Sequence, residues 1–318
     1  MINVDNLSKN YGPTRALHGI SFNVQKGEVV GFLGPNGAGK STTMKILTGY
    51  LLPTSGTATI DGLDVVEQSL EVRRRIGYLP ESTPLYTEML VRDYLQFVAE
   101  IRGVPGRRVD AAVDRVIGLC GLQRVVGKNI VELSKGFKQR VGLAQAMVHE
   151  PDVLMLDEPT SGLDPNQIIE VRKLIQQLAE QHTVILSTHY LQEVDAVATR
   201  VIIVNRGEIV ADDSKDSLLR QASAHAIRAR VKGPKANILN QIGELMPGRR
   251  VDVMWSEGDY HDLRVHVTTE LRDATVPEAL ADLMVKNGWS IAELSREQAT
   301  LEAVFRALTA DSAEAGAS

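Results

Sequence analysis

The 318-residue sequence holds one cysteine, Cys120. A single thiol excludes an internal disulfide, and its place in a periodic apolar stretch reads as a buried helix position in a reducing compartment. Long apolar runs are missing too: none approaches the roughly eighteen residues that span a bilayer. The chain opens on Asn, Asp and Lys instead of a basic and then apolar leader, so a soluble, cytoplasmic protein is expected. Positive charge is not in excess. The formal net charge is -5 with 24% charged residues, a balance poor at neutralising a phosphate backbone, which disfavours nucleic acid as a partner. Internal repeats are absent, and low complexity is confined to the Ala/Ser/Gly tail, 310–318, expected to be disordered. The length favours one large domain and one smaller domain.

What is present alternates between two periods. From 1 to 60 the pattern is strand-like, with Ile2, Val4 and Leu7, then Ile20, Phe22 and Val24, then the run Val29–Leu33. From about 82 to 148 the spacing turns helical, through Leu95, Val98 and Ile101 and then Val109, Val113 and Val116, which predicts a helical insert. Strands at 153–156 and 183–187 flank a helix over Pro165–Ala179, and a hairpin follows through 201–204 and 208–210. The α/β domain is expected to end at 222. A basic stretch with Arg228, Arg230, Lys232 and Lys235 opens a second unit, 223–309, and reads as a solvated face. Its remainder alternates strand 225–231, helix 235–246, strands 250–255 and 260–268, helix 276–288, strand 289–295 and helix 299–308. That order predicts a small α+β domain of the ferredoxin-like type.

Directly after Val29–Leu33 comes Gly34-Pro35-Asn36-Gly37-Ala38-Gly39-Lys40-Ser41-Thr42, a complete P-loop that opens a helical pattern. Its glycines let successive backbone N–H groups turn toward phosphate oxygens, Lys40 adds a cation, and Ser41 is placed to ligate Mg²⁺. A second element, an apolar strand ending in Asp157 and Glu158, supplies what such a loop requires. Asp157 would hold the Mg²⁺ shell, and Glu158 would polarise the attacking water as general base.

The stretch Leu133-Ser134-Lys135-Gly136-Phe137-Lys138-Gln139-Arg140 opens a helix about twenty residues before the acidic strand. It resembles the signature sequence of ATP-binding-cassette (ABC) proteins. Tyr11, Glu81, Ser161-Gly162-Leu163-Asp164 and His189 fall in that family's order, so the resemblance spans residues 1 to 220. It implies a P-loop NTPase fold with a helical insert, ATP and Mg²⁺ as cofactors, and a homodimer that sandwiches two nucleotides. Tyr11 would stack on adenine, or else end its strand as a core tyrosine. Ser134 and Gly136 would grip the γ-phosphate of nucleotide held by the other subunit, Asp164 would cross the interface, and His189 would bond the γ-phosphate and orient water. Lys135 and Phe137 depart from the common signature. Glu81 replaces the family's usual metal-touching glutamine, and its carboxylate can still ligate the ion.

Those variants, with Pro80–Met89 and Ala299–Thr309, resemble the subgroup that serves ABC-2-type exporters. The subgroup implies a separate integral membrane permease as partner and a peripheral position on the inner face of the cell membrane. Leu85, Tyr86, Met89, Leu90 and Tyr94 border the Glu81 loop, either to receive a coupling helix of that permease or to pack the insert. Nucleic-acid relatives of the family would show zinc cysteines, a long coiled coil or two cassettes, and none is present.

Overall fold

The computed structural model describes residues 1–221, 226–266, 275–296 and 300–310. It separates into two compact units, one holding Met1–Lys215 and the chain from Leu308, the other Asp216–Ala307. The expected boundary at 222 and the tail from 311 lie outside the described residues.

The first unit begins with β1 (Ile2–Tyr11), β2 (Thr14–Val24), β3 (Val29–Leu33), α1 (Lys40–Leu47), β4 (Ser55–Ile60), β5 (Leu63–Asp64), α2 (Ser69–Arg75) and β6 (Ile76–Leu79). Three helices make up the insert: α3 (Val91–Ile101), α4 (Gly106–Leu119) and α5 (Lys135–Met147). Then follow β7 (Val153–Asp157), α6 (Pro165–Ala179), β8 (Thr183–Thr188), α7 (Leu191–Val197), β9 (Arg200–Asn205), β10 (Glu208–Ser214) and, crossing into the second unit, α8 (Lys215–Gln221).

A four-stranded antiparallel sheet has the order β2-β1-β4-β5, and a six-stranded sheet the order β10-β9-β3-β8-β7-β6. In the larger sheet every pair is parallel except β9 with β10. Every residue of β3, β7 and β8 is buried, as parallel strands covered on both faces require. Val30, Phe32, Met155, Ile185 and Ile202 pack with Met44 and Leu47 of α1 in one apolar core. Because β3, β8, β7 and β6 are consecutive neighbours, the loops leaving their carboxyl ends converge on one edge, the place where ligands settle in open α/β sheets.

The insert forms from helices whose apolar stripes face inward: Val91 and Leu95 of α3, and Val109, Val113 and Val116 of α4, are buried. Cys120 is buried beside them, and burial pushes its thiol up to about 12, so it stays protonated and inert. Among the described residues no helix is long and apolar enough to cross a membrane.

In the second unit β11 (Ala226–Lys232), α9 (Lys235–Leu245), β12 (Val251–Glu257), β13 (Tyr260–His266), α10 (Thr275–Lys286) and β14 (Ser290–Arg296) build one antiparallel sheet, order β12-β13-β11-β14. Ile238 and Ile242 of α9 and Leu280 and Met284 of α10 pack on Ala229, Val231, Leu263 and Val265. The last helix among the described residues is α11 (Leu301–Ala310). The basic strand is not simply a solvated face. Arg228 and Arg230 both reach Asp262, at 2.6 and 3.1 Å, and that carboxylate is only 3% exposed. Hydrogen bonding from Arg228 holds the Asp262 carboxyl below its ordinary range, so these arginines fasten β11 to β13.

Candidate functional site

The turn between β3 and α1 carries the P-loop. Gly39 has φ +110°, and a Cβ there would fall 2.6 Å from Leu17 Cδ2 and 2.9 Å from the Ala16 carbonyl; one on Gly34 would fall 2.4 Å from the Val204 carbonyl. Only glycine lets this backbone turn so close to its neighbours. Around the loop lies a cavity of about 530 Å³, lined by Asn36, Gly37, Ala38, Gly39, Lys40, Ser41 and Thr42. Glu81, Glu158, Ser161, His189, Tyr190 and Ala16 complete the wall.

Lys40 is 6% exposed; its Nζ donates to the carbonyls of Gly34 at 2.8 Å and Pro35 at 3.3 Å and lies 3.8 Å from Glu158. Burial lowers its pKa, while the carboxylates of Glu158, Asp157 and Glu81 oppose that shift. Asp157, the final residue of β7, accepts from Ser41 Oγ at 3.2 Å and from Ser187. Glu158 takes φ +49°, a left-handed conformation costly for a residue with a long side chain, held by its N–H on the Ser187 carbonyl at 2.9 Å. That turn aims the Glu158 carboxylate at His189, whose Nδ1 lies 2.9 and 2.8 Å from the two oxygens. A proton on Nδ1 makes this bond, and Nε2 is left for another partner.

Three further residues support the pair and were not singled out by sequence reasoning. Gln139 of α5 accepts from Thr83 at 3.3 Å and donates to the Pro159 carbonyl at 2.7 Å, so it ties the segment after Glu81 to the segment after Glu158. Thr160 donates to Glu193 of α7. Glu193 is 2% exposed, its Oε2 has no partner among the described residues, and burial pushes its carboxyl up to about 7. A carboxyl raised from about 4.5 binds its proton more tightly when folded, so it stabilises most below pH 4.5 and loses that contribution as pH rises through 7. Glu193→Gln is therefore expected to flatten the melting temperature against pH between 4.5 and 7, an effect on the order of 1 to 3 kcal/mol. An unchanged slope in thermal melts would contradict the assignment.

Not all the expected residues gather here. Tyr11, 48% exposed under Lys9 Nζ at 5.4 Å, is not in the cavity wall. Ser134 and Gly136 are also outside it; Ser134 caps α5, its Oγ accepting from the Phe137 N–H at 3.4 Å. Asp164 caps α6, accepting from the Gln167 N–H at 2.9 Å. Lys135 reaches toward the Asp164 segment, since a Cβ on Gly162 would fall 1.9 Å from its Nζ.

A phosphate cradle, a hydroxyl–carboxylate pair and a buried glutamate paired with an exposed histidine, at the carboxyl ends of parallel strands in one sheet, define a P-loop nucleoside triphosphatase. Comparison with known proteins narrows the class. Residues 17–161 match the ABC transporter family model. The bacitracin transport ATP-binding protein BcrA of Bacillus licheniformis is 33% identical over 310 residues, 96% of each chain. The probable multidrug ABC transporter ATP-binding protein YbhF of Escherichia coli is 38% identical over 224 residues, 70% of this chain, and the match spans 39% of that longer protein. Among solved structures, the dimeric bacterial ABC transporter cassette MJ0796 superposes with a TM-score of 0.62 at 25% identity, over 67% of this chain and 98% of that one. The chain belongs to the ABC transporter family.

Proposed function

We propose that two copies of the chain clasp two ATP molecules at a common interface and that their closure powers export through a separate ABC-2-type membrane permease, from the inner face of the cell membrane. The observation that carries the first half is the incompleteness of the single-chain site: the phosphate cavity holds Lys40, Glu158 and His189 but neither Ser134 nor Gly136. Those two would reach the γ-phosphate on the partner's P-loop. Asp164 would meet the partner beside them, and Tyr11 would stack on the adenine ring.

Within the cavity, the N–H groups of Asn36 to Thr42 and the Lys40 ammonium receive the phosphates. Glu158 takes a proton from the attacking water, and His189, oriented by its Nδ1 contact with Glu158, donates Nε2–H to the γ-phosphate when it carries both ring protons. Ser41, Asp157 and Glu81 fit a Mg²⁺ ion: the described residues hold no cluster of three or more His, Cys, Asp or Glu, so the ion would rest on one hydroxyl, these carboxylates and the phosphates themselves. When bound, the ion would neutralise charge on the transferring phosphoryl group.

Coupling is assigned to an open apolar cavity of about 530 Å³ beside the Glu81 loop, lined by Leu85, Tyr86, Met89 and Phe97. Tyr86 is 60% exposed yet fixed edge-on to Tyr94 and Phe97, an aromatic anchor for a permease helix. BcrA's name supports transport, and the second unit supports an appended accessory domain: its strand order and βαββαβ sequence are those of ferredoxin-like folds. The test is co-expression with a candidate permease. Recruitment of the chain to membranes and stimulation of its ATP turnover are expected, with Tyr86→Ala reducing recruitment about tenfold or more. Recruitment indifferent to both permease and Tyr86 would refute the coupling assignment.

A further inference from the structure

A second cavity, of about 520 Å³, opens where α2 ends, α3 turns into α4, and the chain leaves α5. Arg74, Arg102, Arg108 and Arg115 line it, with His149 and Glu150. Two of the four guanidinium groups are compensated: Arg74 by Glu71 at 2.8 Å and Arg115 by Glu150 at 3.2 Å. Arg102 is half-buried and donates to the Arg73 carbonyl at 2.9 Å, and among the described residues no carboxylate pairs with it. The Arg108 side chain has no partner among the described residues.

The cavity is thus walled by two uncompensated cations in a chain of net charge -5. Its neighbours register the field. Burial and the charge of Arg73 lower Arg102, and burial together with Arg102 pushes His149 down to about 4. Burial and Arg102 thus hold His149 neutral; it donates Nε2–H to the Ile76 carbonyl at 3.1 Å, and among the described residues its buried Nδ1 has no partner. Holding like charges together costs free energy that a bound anion would return.

We propose that this cavity is a binding site for a phosphate-bearing anion, with Arg102 and Arg108 as its principal ligands. Planar guanidinium forks bond phosphate oxygens in pairs, and the free Arg108 fork with the remaining N–H groups of Arg102 matches a dianion or a phosphodiester flanked by further polar groups. The volume exceeds what one inorganic phosphate fills, which favours a headgroup or a polyphosphate. The site is separate from the nucleotide cavity, with which it shares no lining residue. It is nonetheless joined to it through His149 and Ile76, the first residue of the strand that leads to Glu81.

Pyrophosphate is the probe, used on the full chain carrying Lys40→Ala so that the P-loop does not compete. Calorimetry is expected to show one site per chain, weakened at least tenfold by Arg108→Gln and abolished by Arg102→Gln with Arg108→Gln. ATP binding by the same double variant with Lys40 intact shows that it folds. Binding unchanged by these substitutions, or none in the Lys40→Ala chain, overturns the proposal. Vesicles of phosphatidylglycerol in phosphatidylcholine separate the two sources of phosphate. Capture that pyrophosphate competes away and Arg108→Gln removes assigns a lipid headgroup, and pyrophosphate binding without capture assigns a soluble ligand. Capture indifferent to Arg108→Gln contradicts the site.

Discussion

Glu158→Gln is expected to lower steady-state ATP hydrolysis by about 10²- to 10⁴-fold while ATP still binds. The amide has nearly the carboxylate's size, so it preserves the left-handed turn at Glu158 and keeps one acceptor oxygen for His189. What it loses is basicity toward the attacking water. It also removes one negative charge 3.8 Å from Lys40, beside the site of a triphosphate, so nucleotide affinity should be kept or raised. Phosphate release measured against nucleotide binding on the same sample separates the two effects. Turnover at the parent rate would remove Glu158 from the mechanism.

Lys40→Ala is expected to do the opposite: binding itself should fall, by about 10²-fold or more, since removing one partner of a buried charged contact costs roughly 2 to 5 kcal/mol. Lys40 is the cation set against Glu158, Asp157 and Glu81 in this cavity, and without it three carboxylates confront the phosphates. Its bonds to Gly34 and Pro35 also hold the loop in shape, so the loss reaches beyond charge. A fluorescent-nucleotide titration reads it directly. Affinity within a few-fold of the parent would mean that the N–H groups of the loop carry binding alone.

The site's strongest elements were legible because local chemistry forces contiguous residues. A loop that wraps phosphate needs glycines at fixed spacing, and a strand buried on both faces reads as an unbroken apolar run before Asp157. The position of His189 next to Glu158 follows from β7 and β8 being parallel neighbours in register, which the sequence implies only through its order of elements. Contacts made by single side chains across the fold left no such trace. Gln139 was visible as part of the signature, but its bridge from Thr83 to Pro159 depends on where α5 docks. Glu193 looked like an ordinary polar helix residue until α7 buried it. Helices α2 and α7, seven residues each, are too short to display a helical period. Arg228 and Arg230 read as solvent-facing because Asp262 lies more than thirty residues away in sequence. The arginine cavity is assembled from three separate segments and has no local signature at all.

Light scattering of the Glu158→Gln chain with and without saturating MgATP bears most directly on the paired-site account. Nucleotide is expected to convert the mass of one chain into that of two, and Gly136→Asp, which places a bulky anion at the signature helix, should prevent the shift. A hydrolysis-blocked chain that remains single at saturating MgATP would contradict it.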